Sequence, residues 1–308
     1  MTMAATVSPA VVPLACLEPA RSSLPAWLSL LYVPGHRLDA VRAGVDCGAH
    51  AIIHDLEDFV PMASKADARR NIETAASLAG GQGMGVVVRI NRRMDLAVAD
   101  LDHAVVGSVS AVMVPKVQGA DHLHLLDEVA GALEARRGLP AGSIRFIALV
   151  ETAAALARMR EICEATPRTV AVGLGGEDIA RECGMRAQTQ TLRQPKQDMI
   201  FAAVAAGIIP LGYLSSVADY QDEASFQSMV EESRSFGFQA ATCLNAHQVR
   251  IVNKIYAPSE AEIQSAHAVL APESRDREVV CGVLAPSEQR DRLARADLTV
   301  RRATILGH

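Results

Sequence analysis

Carboxylates, cations and glycines recur in short polar clusters, each directly after an apolar run. Pro34-Gly35-His36-Arg37 is the first. Asp55-Leu56-Glu57-Asp58, Arg89-Ile90-Asn91, Pro115-Lys116, Glu151-Thr152, Gly175-Gly176-Glu177-Asp178 and Asn245 follow. If these clusters meet at one end of a fold, several carboxylates and at least two cations share a small volume. Carboxylates packed together cannot all stay ionised without a compensating cation. A hard divalent metal with oxygen ligands answers that need, and Mg2+ commonly binds through one or two carboxylates plus water and substrate.

The elements that must position these clusters are the apolar runs themselves: Leu28 to Val33, Ala51 to Asp55, Val86 to Ile90, Ala111 to Val114, Phe146 to Val150, Val170 to Leu174, Ile208 to Leu214 and Gln239 to Leu244. From the third onward they start about every 30 residues, the length of a strand–helix unit. They are near-continuously apolar, as parallel strands covered by helices are. Ser64 to Leu78, with a candidate Ser cap, and Asp121 to Arg137, with Leu123, Leu126, Val129 and Leu133 on one stripe, carry helical spacing between them. Eight such units predict a single (β/α)8 barrel over residues 28–270, with its chemistry at the C-terminal ends of the strands. Residues 1–27, rich in Ala, Pro and Ser, read as a tail. Residues 271–308 read as a helical segment that caps this chain's own site or a neighbour's and joins subunits.

Composition narrows the function. The chain has 308 residues, 30 basic and 35 acidic side chains, a net charge of -5 and half its residues apolar. That permits a large core and excludes a disordered chain. With a pI near 6.0 and no basic stripe, nucleic acid is not the expected partner. No apolar run approaches the ~20 residues that span a membrane. The six cysteines, at 16, 47, 163, 183, 243 and 281, form no Cys-x-x-Cys pair and read as reduced thiols. With no basic region opening the sequence, a cytoplasmic location is expected.

The ordered set of Val33-Pro34-Gly35 with Arg37, Asp55-Leu56-Glu57-Asp58 with Lys65, Arg89-Ile90-Asn91, Pro115-Lys116-Val117, Glu151-Thr152 and Gly175 with Asp178 resembles the citrate lyase β-subunit family, within the HpcH/HpaI aldolase group. The resemblance runs over residues 28–306. It implies a barrel of the phosphoenolpyruvate/pyruvate type, assembled as a homotrimer or hexamer. It also implies making or breaking a carbon–carbon bond between a 2-oxo acid and the enolate of a thioester, with coenzyme A as part of the substrate and Mg2+, or alternatively Mn2+, as the ion. Position by position, Glu151 and Asp178 match metal ligands. Arg89 matches the arginine that binds the oxo-acid carboxylate and stabilises the enolate. Pro34, Gly35 and Arg37 match the loop at the acyl-thioester side. Asp297 matches an aspartate supplied by a neighbouring subunit, although Thr299 stands where the pattern has proline.

The chemistry suits those residue types. A guanidinium holds a carboxylate in a planar fork, a metal polarises a carbonyl, and a carboxylate moves the proton. Simpler roles compete at each position. Glu151 could cap the helix after its strand, and Asp178 could be a first-turn acid favoured by the helix dipole. Glu57 and Asp58 could serve catalysis, hold Arg89 or a metal-bound water, or be structural. Lys116 could neutralise the rim or help bind substrate, and Gly175 could let substrate approach the backbone. Phe59, bulky where a small residue is common, could narrow the pocket. The expected function is a Mg2+-dependent lyase of malyl-, citramalyl- or citryl-CoA type. A thioesterase on the same site, a CoA-independent 2-oxo-acid aldolase and a binding subunit are the rivals.

Overall fold

A computed structural model describes residues 24–216, 222–271 and 286–307. Its strands are β1 Ser29–Pro34, β2 Ala51–Asp55, β3 Gly85–Arg89, β4 Ala111–Val114, β5 Arg145–Val150, β6 Thr169–Leu174, β7 Ile209–Leu211 and β8 Ala241–Cys243. The helices are α1 Leu38–Val45, α2 Lys65–Arg70, α3 Ile72–Gly80, α4 Met94–Ala104, α5 Ala120–Arg137, α6 Ala153–Leu156, α7 Met159–Glu164, α8 Gly176–Glu182, α9 Thr189–Ala205, α10 Glu223–Phe236, α11 Ala246–Tyr256, α12 Glu260–Leu270 and α13 Pro286–Ile305. All strands are parallel, in the order β7-β6-β5-β4-β3-β2-β1-β8. The sheet curls until Leu211 bridges Ala240, and Gly212 N–H donates to Ala240 O at 2.8 Å. This is the expected barrel, with a narrow seam between β7 and β8.

Side chains in a strand alternate between faces, and the apolar runs feed two cores accordingly. Leu30, Ile53, Val87, Met113, Ile147, Leu149 and Ala171 pack inside the barrel. Leu31, Ile52, Val86, Val88, Val112, Phe146 and Val172 pack outward against the helices. Both faces are buried, so the runs read as uniformly apolar. The barrel also begins earlier than expected: Trp27, assigned to the tail by sequence, is 8% exposed and closes the interior layer from below.

Two helical expectations change. Ser64 to Leu78 is not one helix. A 3-10 turn over Met62–Ser64 leads into α2, and Asn71 separates α2 from α3. Ser64 makes no side-chain cap, while Asn71 Nδ2 donates to Gly35 O at 3.0 Å and so ties this break to the β1 loop. The C-terminal helix α13 does not cover its own chain's rim. Arg302 Nη2 donates to Gln239 O at 2.9 Å and Tyr256 O at 3.2 Å. Leu298, Arg301 and Leu306 line a groove with Leu28, Ile208 and Ile209, at the N-terminal ends of β1 and β7. Among the described residues no helix is long and apolar enough to cross a membrane.

Candidate active site

The inward alternation that builds the core continues past its last apolar layer. Ala51 and Ile53 lead to Asp55, Val87 to Arg89, Ile147 and Leu149 to Glu151, and Ala171 and Gly173 to Gly175. Asp55 and Arg89 are register partners on neighbouring strands. Arg89 Nε donates to Asp55 Oδ1 at 2.5 Å, and Arg89 Nη1 lies 3.2 Å from Glu57 Oε2. Its Nη2 is buried with no hydrogen-bond partner. Tyr32 and Phe59 hold the guanidinium 4.9 and 5.2 Å from their ring centroids. Burial alone would disfavour the charge, but the Asp55 hydrogen bond and the surrounding carboxylates outweigh it and hold Arg89 more firmly protonated than usual.

The loop after β2 is rigidly tied. Asp55 accepts from Glu57 N at 3.1 Å and Phe59 N at 2.9 Å. The buried Lys65 ammonium donates to Leu56 O at 2.5 Å and Glu57 O at 2.7 Å. Glu57 therefore points inward at a fixed height, where Lys116 Nζ donates to its Oε1 at 2.7 Å. Lys116 is the one non-glycine residue among those described with a positive φ, +49°. That turn aims its own backbone N–H at Glu151 Oε2, 3.0 Å away.

Glu151 does not cap the following helix. Thr152 does, its hydroxyl accepting from Ala155 N at 3.2 Å, which leaves the Glu151 carboxylate free to face the cavity. Gly175 seats it closely, since a Cβ there would lie 2.6 Å from Glu151 Cγ. Burial pushes Glu151 up to about 7; Lys116 opposes the rise, and Glu57 and Asp178 add to it. Asp178 stands in the first turn of α8, ion-paired with Arg181 and 29% exposed. Glu151, Asp178, Arg89, Tyr32 and Phe59 line one cavity of about 360 Å³ at the C-terminal end of the barrel.

Two carboxylates bordering one cavity fit a hard divalent ion. Among the described residues no three His, Cys, Asp or Glu side chains form a ready-made cage. An ion held by Glu151 and Asp178 would complete its shell with water and substrate, the habit of Mg2+.

Other expected site residues are less central. Asp58 is mostly exposed, 3.6 Å from Lys116 Nζ and 4.0 Å from Arg89 Nη1. Arg37 is exposed and paired with Asp39. Pro34 ends β1, and Gly35 N donates to Asp55 O at 3.0 Å; a Cβ on Gly35 would strike His54 Nε2 at 2.5 Å. Asp297 is not brought to this rim. It sits on α13, ion-paired with Arg301 at 2.7 Å, on the helix that packs at the opposite end of the barrel. Sequence reasoning missed Tyr32, the hold of Asp55 on Arg89, and Lys196. The period-two pattern of inward positions carried the signal for the first two; a lysine within an amphipathic helix carries none. Lys196 Nζ donates to Leu214 O at 2.9 Å and Ser215 O at 3.0 Å, and burial lowers it to about 7.

A parallel (β/α)8 barrel with two carboxylates and a buried arginine lining a cavity at the C-terminal ends of its strands defines the class by its framework. The sequence profile of the HpcH/HpaI aldolase/citrate lyase family matches residues 28–246, and the chain belongs to that family. It is 28% identical over 265 residues to the citrate lyase subunit beta of Leuconostoc mesenteroides subsp. cremoris, covering 85% of this chain and 87% of the relative. It is 30% identical over 245 residues to the (3S)-malyl-CoA thioesterase of Cereibacter sphaeroides, covering 79% and 81%. Among solved structures, Mycobacterium tuberculosis CitE in complex with magnesium, acetoacetate and coenzyme A superposes with a TM-score of 0.64 at 25% identity, over 93% of this chain and 100% of that one.

Proposed function

We propose that the chain is a Mg2+-dependent carbon–carbon lyase that cleaves, or in reverse forms, a 3-hydroxyacyl-CoA of the malyl, citramalyl or citryl type. The observation that carries this reading is the buried Arg89 guanidinium, its Nη2 without a hydrogen-bond partner, lining the cavity that Glu151 and Asp178 also line. A carboxylate bound by Arg89 would place the adjoining oxygen-bearing carbon toward that pair. In cleavage the hydroxyl gives up its proton and the carbon–carbon bond breaks. Its electron pair passes to the thioester as an enolate, the hydroxyl carbon becomes the oxo-acid carbonyl, and a proton returned to the enolate carbon gives acyl-CoA. Bound at Glu151 and Asp178, Mg2+ supplies Lewis-acid polarisation of the oxo-acid oxygens.

This chain's residues divide the rest of the work. Asp55 and Glu57 fix the guanidinium, and Lys116 fixes Glu57 and, through its backbone, Glu151. Pro34, Gly35 and the exposed Arg37 border the side from which the CoA thioester enters. Asp58 stands at the mouth. Asp297 can move a proton here only from a second copy of the chain, as a homotrimer or hexamer would allow, because its own helix packs at the other end.

The test is a panel of malyl-, citramalyl- and citryl-CoA with and without Mg2+, products resolved by mass, beside Glu151→Ala. Mg2+-dependent release of acyl-CoA and a 2-oxo acid, lost in Glu151→Ala, is the expected result. Because a thioesterase is among the relatives at 30% identity, free CoA with an intact hydroxy acid would assign hydrolysis instead. Turnover of no thioester would end the CoA reading.

A further inference from the structure

Arg89 has little left to offer a substrate. Its Nε is taken by Asp55, and its Nη1 lies 3.2 Å from Glu57 Oε2. Tyr32 and Phe59 lie against the guanidinium and pack edge to face with each other at 5.6 Å. Nη1 is ion-paired with Glu57 but not hydrogen-bonded to it, and the buried Nη2 has no hydrogen-bond partner, so one edge of the guanidinium remains, which suffices for one carboxylate.

The cavity's charges lead to the same count. Among the described residues its lining holds two cations, Arg89 and Lys196, against Glu151, Glu177 and Asp178. An ion at Glu151 and Asp178 would neutralise that pair, and the two cations beside it but outside the lining are already engaged, Lys116 by Glu57 and Arg181 by Asp178. Lys196 faces Glu177 and gives two of its three N–H groups to the Leu214 and Ser215 carbonyls. Much of the remaining wall is apolar, with Leu149, Leu211 and Phe238 among it. A second substrate carboxylate would lose its water without gaining a counter-charge, a costly exchange in an apolar surround. Phe59 enforces this. Its backbone is fixed to Asp55 and its ring lies 5.2 Å from the guanidinium, yet the residue is 46% exposed, so it stands between the guanidinium and bulk water.

We infer that the aromatic pair Tyr32 and Phe59 makes the site selective for a 2-oxo monocarboxylate, of the glyoxylate or pyruvate class, over a 2-oxo dicarboxylate such as oxaloacetate. The inference rests on the lyase reading's assignment of Arg89 as the oxo-acid anchor.

The test is calorimetric titration of the full chain, in Mg2+, with pyruvate and with freshly dissolved oxaloacetate. Wild type binds pyruvate at least tenfold more tightly. Phe59→Ala admits water and narrows the ratio to threefold or less, whereas Phe59→Leu keeps an apolar wall and most of the preference. Thermal melting of each variant guards against misfolding, and the wild-type ratio stands without any variant. Equal or tighter oxaloacetate binding, or an unchanged ratio in Phe59→Ala, overturns the inference. Preferred cleavage of citryl-CoA would overturn it and leave the lyase standing. A pyruvate preference with no thioester cleaved would support it and end the lyase. Failure of both acids to bind would overturn it together with the role of Arg89.

Discussion

Replacing Glu151, the proposed metal ligand, by glutamine should make the metal-free protein more stable. Glu151 is 8% exposed and its carboxyl is carried from 4.5 to about 7, first by burial and then by Glu57 and Asp178 against the pull of Lys116. Each tenfold change in a proton equilibrium is worth about 1.4 kcal/mol, so the ionised carboxylate costs the fold roughly 3 kcal/mol above neutral pH. Glutamine is neutral and keeps an oxygen for the Lys116 N–H. Allowing for the amide's own unmet donors, a gain of about 2 kcal/mol is expected, or about 4 °C in Tm.

The pH dependence has a definite sign. Below 4.5 the folded and unfolded chains both carry the proton, between 4.5 and about 7 only the folded chain does, and above that neither does. Wild type in chelator should therefore lose stability as pH rises through that window and then level off, and Glu151→Gln should lack this slope. Melting in EDTA at several pH values, repeated in Mg2+, is the assay. Mg2+ should raise the wild-type Tm and leave the variant unmoved. A variant that melts below wild type at pH 8 in EDTA, or one that follows the same pH slope, would refute the account of the site as an electrostatically strained cation trap.

Other outcomes follow from neighbouring contacts. Gly175→Ala puts a Cβ 2.6 Å from Glu151 Cγ and must displace the carboxylate. Mg2+ affinity by calorimetry should fall ~10- to 100-fold. Gly176→Ala, whose Cβ would meet Leu192 Cδ1 at 2.6 Å rather than Glu151, should cost stability with little effect on Mg2+. Arg89→Lys cannot both hold Asp55 and present a second nitrogen, so kcat/KM should drop about 100-fold or more. Mixing inactive Asp297→Asn with inactive Glu151→Gln should restore part of the activity if Asp297 acts from a second copy; no recovery in a proven mixed oligomer removes it from the chemistry. At the other end of the barrel, Glu134 accepts from Arg168 Nη1 and Nη2 at 2.7 Å each. Burial would raise its carboxyl, but the Arg168 hydrogen bonds and two backbone N–H groups bring it down to about 2. Glu134→Ala should cost ~3 kcal/mol in urea unfolding at pH 7. Because a lowered acid stabilises above its unfolded value, the gap between wild type and variant should close as pH falls from 4.5 toward 2.

The strands were legible because β-branched and apolar residues crowd both faces of a covered parallel strand, and each of the eight runs overlaps one to within a residue or a few at its ends. Their polar ends were legible too, since Glu151, Arg89 and Gly175 each fall on the inward beat of the alternation. Helix breaks were not: the Lys65 to Gly80 stretch keeps helical spacing across Asn71, where α2 ends and the side chain donates to Gly35 O. Pro195, a strong breaker in sequence, lies within α9. Whether Glu151 or Thr152 capped the next helix was undecidable from composition, since both can accept a backbone N–H; the extended backbone of Thr152 decides it. The place of Asp297 depends on how α13 returns to the barrel, and no local pattern encodes that.

The inward beat also constrains how this protein can change. Glu151 is the next rung above Leu149 and Ile147, and Arg89 the next above Val87. A methyl group added or lost in those lower rungs shifts a strand that carries a charged group two residues on. The well-packed interior responds to such changes by moving backbone. The residues that fill the barrel thus set the spacing of the charged groups at its rim, and a search for variants with altered chemistry would do well to begin one layer beneath them.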